Sequence, residues 1–260
     1  MQRNSVGYTV GFAAAICLVA SLFVSGSAVA LKDLQDANKA ADKQKKVLVV
    51  AGFLAEGDSP PNEEVQVLFD DNVIPRVVDM STGEFADDAV DPSVYDARKA
   101  AKDSSLSFEV DDNAAKVSRM PNHHVIYEVR DEGGALEKVI LPIHGPGLWS
   151  TLYGFIAVGP DGNTIDGITF YEHAETPGLG GEVDNVRWKG LWKDRKVYTD
   201  DGSVGIRVKK GTAGPPEDDP YNVDGLSGAT ITSNGVTFTM QFWLGDDGFG
   251  PFLSKNVRGS

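Results

Sequence analysis

Cysteine is almost missing: Cys17 is the only one in 260 residues. That excludes an internal disulfide framework and any multi-cysteine metal cluster. Cys17 lies inside an apolar stretch, where a buried, inert thiol is expected. Positive charge is short as well. Lysine and arginine number 24 against 38 acidic residues, a formal net charge of −14, which argues against nucleic acid, a ligand that selects a basic surface. Acidity of this kind serves solubility. Histidine is scarce. His123, His124, His144 and His173 fit no common helix or zinc-ligand spacing, so no metal is expected. No Gly-x-Ser-x-Gly elbow occurs, which leaves a serine hydrolase without support. No internal repeat is present either.

Long apolar runs are confined to one place. No charged residue occurs from Asn4 through Leu31. As a helix, the 24 residues Tyr8 to Leu31 would span about 36 Å, against a hydrocarbon core of about 30 Å. A cleaved signal peptide is the competing reading, since Ala28-Val29-Ala30 has the small residues of a cleavage site and Arg3 supplies a thin positive start. The run exceeds the usual signal core of about 7–15 residues, so an uncleaved membrane anchor is expected. Lys32, Lys39, Lys43, Lys45 and Lys46 follow the span and only Arg3 precedes it. By the positive-inside rule this would hold the bulk of the chain in the cytoplasm.

The remainder is long enough for one large domain or two small ones. Residues 32–45 carry small apolar and charged residues at helical spacing and can continue the anchor helix. The run KVLVVAG, residues 46–52, reads as a buried strand ending at a glycine. Asn62 precedes two glutamates at a helix start, and that helix should stop before Pro75. Residues 82–117 are polar and weakly patterned, with helical fragments and exposed loops expected. The second half is rich in β signals. HVIYEV (124–129) and KVILPI (138–143) flank Asp131–Gly134, and YGFIAV (153–158) and TIDGITFY (164–171) flank Gly159–Gly162; both read as hairpins. A helix is expected over 182–194, a strand over 204–211 and a proline-bearing loop over 212–223. The pattern is α+β: an apolar amino-terminal helix, then a mixed domain of antiparallel hairpins and helices. The expected divisions are 1–31 (anchor), 32–120 and 121–260.

Three loops stand out. HGPGLWS (144–150) and HAETPGLGG (173–181) each follow a predicted strand. Their glycines serve either simple turns or close backbone approach to a flat ligand. The third is DGLSGATITSNG (224–235). There Ser227 is expected to cap a helix whose first turn, with Gly228 and Ala229, is sterically open. The free N–H groups and dipole of such a turn suit a phosphate, and Thr230 would hold a hydroxyl beside it. A plain helix start with hydroxyl caps is the alternative reading of those residues.

Asp224-Gly-Leu-Ser-Gly-Ala-Thr230 resembles the flavinylation motif of the covalent FMN-binding domain family, and HAETPGLGG resembles that family's glycine-rich loop. GPGLWSTLYGFIAV and the tail FWLGDDGFGPFL are similar, more specifically, to the C-subunit family of the sodium-translocating NADH:quinone reductases. The resemblance covers roughly residues 1–30 and 120–253. It implies an inner-membrane, single-pass electron carrier that works with the other subunits of that complex between NADH and ubiquinone. It implies FMN esterified through its phosphate to Thr230, a phosphate site at Ser227, Gly228 and Ala229, and a transferase motif at Asp224, Gly225, Ser227 and Thr230. It also implies a flavin transferase acting outside the cytoplasm with FAD as donor and magnesium, hence a periplasmic domain, against the lysine count. Ring contacts are then expected from Glu175, Thr176, Gly178, Leu179 and Gly180, with Leu148 and Trp149 from the other loop. Trp149 serves equally well in the core or against another protein of the complex. Two other readings stand beside this one. One is a G-type member of the Rnf electron-transport complex. The other is an anchored module that holds a phosphate ligand reversibly without redox chemistry.

Overall fold

The computed structural model describes residues 5–258; Arg3 and the outermost ends of the expected ranges lie outside the described residues. The chain divides into two compact units, Met1–Lys43 and Gln44–Ser260.

The first unit is helical. Helix α1 runs Val6–Ala30, started by Ser5, whose side chain accepts from the Tyr8 N–H. No residue of α1 is buried by protein, and α1 is the one helix among the described residues that is long and apolar enough to cross a membrane. Cys17 is exposed on it, so the expected burial of this thiol is not provided by the protein. Helix α2 runs Lys32–Ala51. The run 46–52 is therefore helical through Ala51, and the expected strand is corrected. A short apolar run bounded by glycine looks the same in a buried helix end as in a buried strand. Here Val47, Leu48, Val50 and Ala51 are all buried, because the last turns of α2 lie against a sheet.

That sheet forms the second unit's centre. After α3 (Asn62–Asn72) come β1 (Ile74–Asp79), the short α4 (Ala97–Ala100), β2 (Ser107–Glu109), β3 (Arg119–Pro121), β4 (His123–Arg130), β5 (Leu136–Pro146), β6 (Thr151–Val158) and β7 (Ile165–Glu172). Five strands pair in the order β1-β4-β5-β6-β7, every neighbour antiparallel. Both expected hairpins are present. The GPGLWS stretch adds a third, because β5 pairs with β6 out to Pro146 opposite Thr151, and Gly147 N–H donates to Ser150 O at 2.7 Å. Strands β2 and β3 form a separate pair.

Alternation along the strands sends side chains to two cores. Val125, Tyr127, Val129, Ile140, Phe155 and Ala157 join Val47, Leu48, Val65 and Phe69 from α2 and α3. Ile126, Val139, Leu141, Ile143, Ile156 and Val158 join Val236, Met240 and Trp243 on the opposite face. Those last three belong to α6 (Thr230–Trp243), which follows α5 (Val186–Gly190), β8 (Arg207–Val208) and β9 (Asn222–Val223) and precedes α7 (Gly250–Asn256).

Two further expectations are corrected. The helix over 182–194 is split into a 3-10 turn, Gly180–Asp184, and α5, because extended Asn185 ends the turn and caps α5 through the Arg187 N–H. The strand over 204–211 shrinks to Arg207–Val208, paired in parallel with Asn222–Val223. The 212–223 loop thus ends in a two-residue strand.

Candidate functional site

The site grows from the seam between β5 and α6. An ideal Cβ on Gly145 would sit 1.9 Å from Thr239 Oγ1, and one on Gly235 would sit 1.7 Å from Pro146 O. Only glycine permits this approach. It carries the start of α6 to the β5–β6 hairpin tip, where the 173–181 loop also arrives.

Glu175 joins all three. Its side chain is 5 % exposed. Oε1 accepts from Trp149 N–H at 2.8 Å and, longer, from Ser150 N–H at 3.4 Å. Oε2 accepts from Leu148 N–H at 3.1 Å and from the Thr232 hydroxyl at 2.6 Å. Burial alone would raise its pKa, but the hydrogen bonds from Thr232 and from the Trp149, Leu148 and Ser150 amides hold it below the usual carboxylate value. Gly147 and Gly180 make room for it: a Cβ on either would come within 2.4 Å of a Glu175 oxygen. His173 orients the loop from the other side. Its Nδ1 accepts the Glu175 N–H at 3.2 Å, so Nε2 carries the proton and donates to Asp184 at 2.8 Å.

The hydroxyls of 224–235 are divided between inside and outside. Thr232 and Ser233 are buried at 1 % and 6 % exposure, Thr232 on Glu175 and Ser233 accepting the Leu226 N–H at 3.1 Å. Thr230 and Ser227 are exposed. Helix α6 begins at Thr230, with Ala229 in the cap position and no side-chain cap. The expected capping by Ser227 is therefore corrected. Gly228, at φ +70°, turns the chain between Ser227 and the helix and leaves the serine out of register. The first-turn N–H groups of α6 have no carbonyl four residues back within the helix. Asp224 is structural: its Oδ1 accepts from Ala213 N–H at 2.7 Å and its carbonyl accepts from Trp188 Nε1 at 2.8 Å. Gly225 is pressed on the neighbouring loop, where a Cβ would lie 2.5 Å from Lys209 O.

Leu179 meets the motif directly, since a Cβ on Gly228 would lie 3.0 Å from Leu179 Cδ2. Leu148, Trp149 and Leu179 are 49 %, 69 % and 44 % exposed. Trp149 is neither core nor loose, because its indole N–H donates to Thr176 Oγ1 at 3.1 Å. Thr176 and Gly178 are exposed, whereas Gly180 is buried with Glu175. Of the ring candidates, then, five are exposed and two, Glu175 and Gly180, are buried. Ile231, 58 % exposed, adds an apolar side chain beside Thr230 that the sequence did not single out. Nor did it single out the Glu175–Thr232 contact, whose partners are 57 residues apart; no local spacing signals it.

The histidines are packing or hydrogen-bonding groups. His124 lies edge-on to Trp243 and Phe249. His144 packs against Trp243 with ring centroids 4.8 Å apart and planes inclined at 58°, and the Trp243 indole N–H donates to the His144 carbonyl. Burial, with the Arg98 charge, pushes the His144 pKa down to about 4.

Comparison with known proteins fits this geometry. Residues 147–245, which hold the second and third loops and the end of the first from Gly147, match the FMN-binding domain family. The C subunit of the Na(+)-translocating NADH-quinone reductase of Vibrio parahaemolyticus is 47 % identical over 98 % of this chain and 96 % of its own length. The Yersinia pestis protein of the same name is 45 % identical over 100 % and 96 %. The crystal structure of Shewanella oneidensis NqrC aligns with a TM-score of 0.77 and 37 % identity, over 86 % of this chain and all of that one. At these identities, over nearly the whole of both chains, the chain belongs to the NqrC family, the C subunits of the Na(+)-translocating NADH-quinone reductases.

Proposed function

We propose that this chain is the membrane-anchored electron carrier of a sodium-translocating NADH:quinone oxidoreductase, with FMN held covalently through its phosphate on Thr230. One observation carries the site: of Thr230, Thr232 and Ser233 at the start of α6, only Thr230 is exposed, while the other two are spent on buried hydrogen bonds.

The residues present suit the group. The first-turn amides and dipole of α6 favour an anion, and the ester leaves the phosphate a monoanion there. Ser227, Gly228 and Ala229 form the approach to that turn, with Gly228 free of a side chain against Leu179. Leu148, Trp149, Leu179 and Ile231 offer apolar surface to a flat ring, and Thr176 holds the Trp149 indole in place. Bound flavin supplies electron acceptance and donation that no side chain here provides. Attachment from FAD would join Thr230 Oγ to the FMN phosphorus in place of the pyrophosphate bridge oxygen, with AMP as the leaving group and the hydroxyl proton taken up by the transferase. The tether keeps the local flavin concentration high.

The carrier works with the other subunits of its complex, anchored by α1 in the inner membrane, with the domain on the periplasmic side. The family's transferase acts outside the cytoplasm and must reach Thr230, which outweighs the five lysines after the span.

Co-expression of the full chain with its flavin transferase tests the reading. Wild type should show a flavin-fluorescent band in a denaturing gel, and Thr230→Ala should fold without one. A band in Thr230→Ala moves the attachment elsewhere. No band in wild type leaves the reversible phosphate-ligand module as the better account.

A further inference from the structure

Beneath the exposed face lies a group that the carrier role alone does not use. Glu175 is a buried carboxylate whose donors are all neutral: three successive backbone amides, Leu148 to Ser150, and the Thr232 hydroxyl. Four donors on two oxygens match an ionised carboxylate, which only accepts. Gly147 and Gly180 are both cut back to fit it. The arrangement places a fixed negative charge at the first turn of α6, behind the loops that carry Leu148, Trp149, Thr176 and Leu179. Three backbone dipoles and the helix start can hold such a charge, but none of them cancels it as a cation would. A hydrophobic pair would have joined the same loops without desolvating an ion.

We propose that Glu175 is a positioning residue whose buried charge locks the 147–150 and 173–181 loops to the start of α6 and holds the flavin carried there at a lower reduction potential. The potential half of this inference rests on the flavin reading above; the locking half does not. The physical reason is Coulombic. An electron added near a fixed anion in a partly desolvated site is disfavoured.

The test uses the full-length chain in detergent. Glu175→Gln keeps the shape, removes the charge and turns one oxygen into a donor. Its flavinylated form should show a midpoint potential raised by a tenfold or greater shift in the oxidised-to-reduced ratio, about 59 mV for one electron. Thr232→Val loosens the same junction but keeps the charge, so it should shift the potential far less. An unchanged potential in Glu175→Gln, or equal shifts in both variants, overturns the electrostatic role. Hydrogen exchange on the unflavinylated wild type reads the lock alone. The Leu148, Trp149 and Ser150 amides should exchange slowly, and should speed up in Thr232→Val. Fast exchange in wild type overturns the lock, including where Glu175→Gln does not fold. Absence of covalent flavin in wild type would count against the Thr230 reading and leave the exchange result standing.

Discussion

Replacing Gly235 with alanine sets two effects of opposite sign against each other. Gly235 lies inside α6, and at an ordinary helical position glycine to alanine stabilises by about 1 kcal/mol. At this position the new Cβ would lie 1.7 Å from Pro146 O and 2.9 Å from its carbonyl carbon. Close C–H to carbonyl contacts stop at about 3.3 Å, so α6 and β5 must part locally by roughly 1.6 Å. A side chain could rotate away; a strand carbonyl cannot. Overpacking costs about 1–3 kcal/mol, and a backbone clash belongs at the upper end. The net loss is about 2 kcal/mol. For a domain of roughly 150–250 residues each kcal/mol moves Tm by about 2–4 °C, so Gly235→Ala should melt about 4–8 °C lower by circular dichroism. Gly190 is the control. It ends α5 with nothing within 4 Å of its ideal Cβ, and Gly190→Ala should leave Tm unchanged or raise it slightly. If Gly235→Ala melts at or above the wild-type temperature, the close seam that delivers Thr230 to the hairpin tip is wrong.

Other outcomes follow from the same structure. His144 has a folded pKa of about 4, against an ordinary 6.5, because burial and the Arg98 charge oppose protonation. Between those pH values the unfolded chain binds a proton that the folded chain refuses, so stability is full above about 6.5 and falls with pH by at most about 1.4 kcal/mol per unit. Urea midpoints of wild type should therefore fall more steeply than those of His144→Gln between pH 6.5 and 5, and parallel curves would refute the assignment. Protease added to spheroplasts should digest residues 32–260; full protection would reverse the periplasmic topology and vindicate the lysine count.

Much of this protein is legible in its sequence where the information is local. Uncharged residues from Asn4 to Leu31 specify α1 through length and hydropathy alone. Asp131–Gly134 and Gly159–Gly162 mark hairpins because tight turns require particular residues between β-branched runs. Thr230 stands out through the DGLSGAT stretch and its resemblance, without any knowledge of burial. Packing decided the rest. KVLVVAG has no period that separates strand from helix, and only its place under the sheet makes it the end of α2. Ser227 looks like a cap until Gly228 turns the chain and α6 starts at Thr230. The hydroxyls of Thr230, Thr232 and Ser233 are chemically alike in sequence; which one faces outward depends on the rotation of α6 against β5. Glu175 is one acid among 38 acidic residues. Its meaning arises from Thr232, 57 positions away, and from amides in another hairpin. A buried charge is defined by what surrounds it, and those surroundings exist only once distant segments of the chain are packed together.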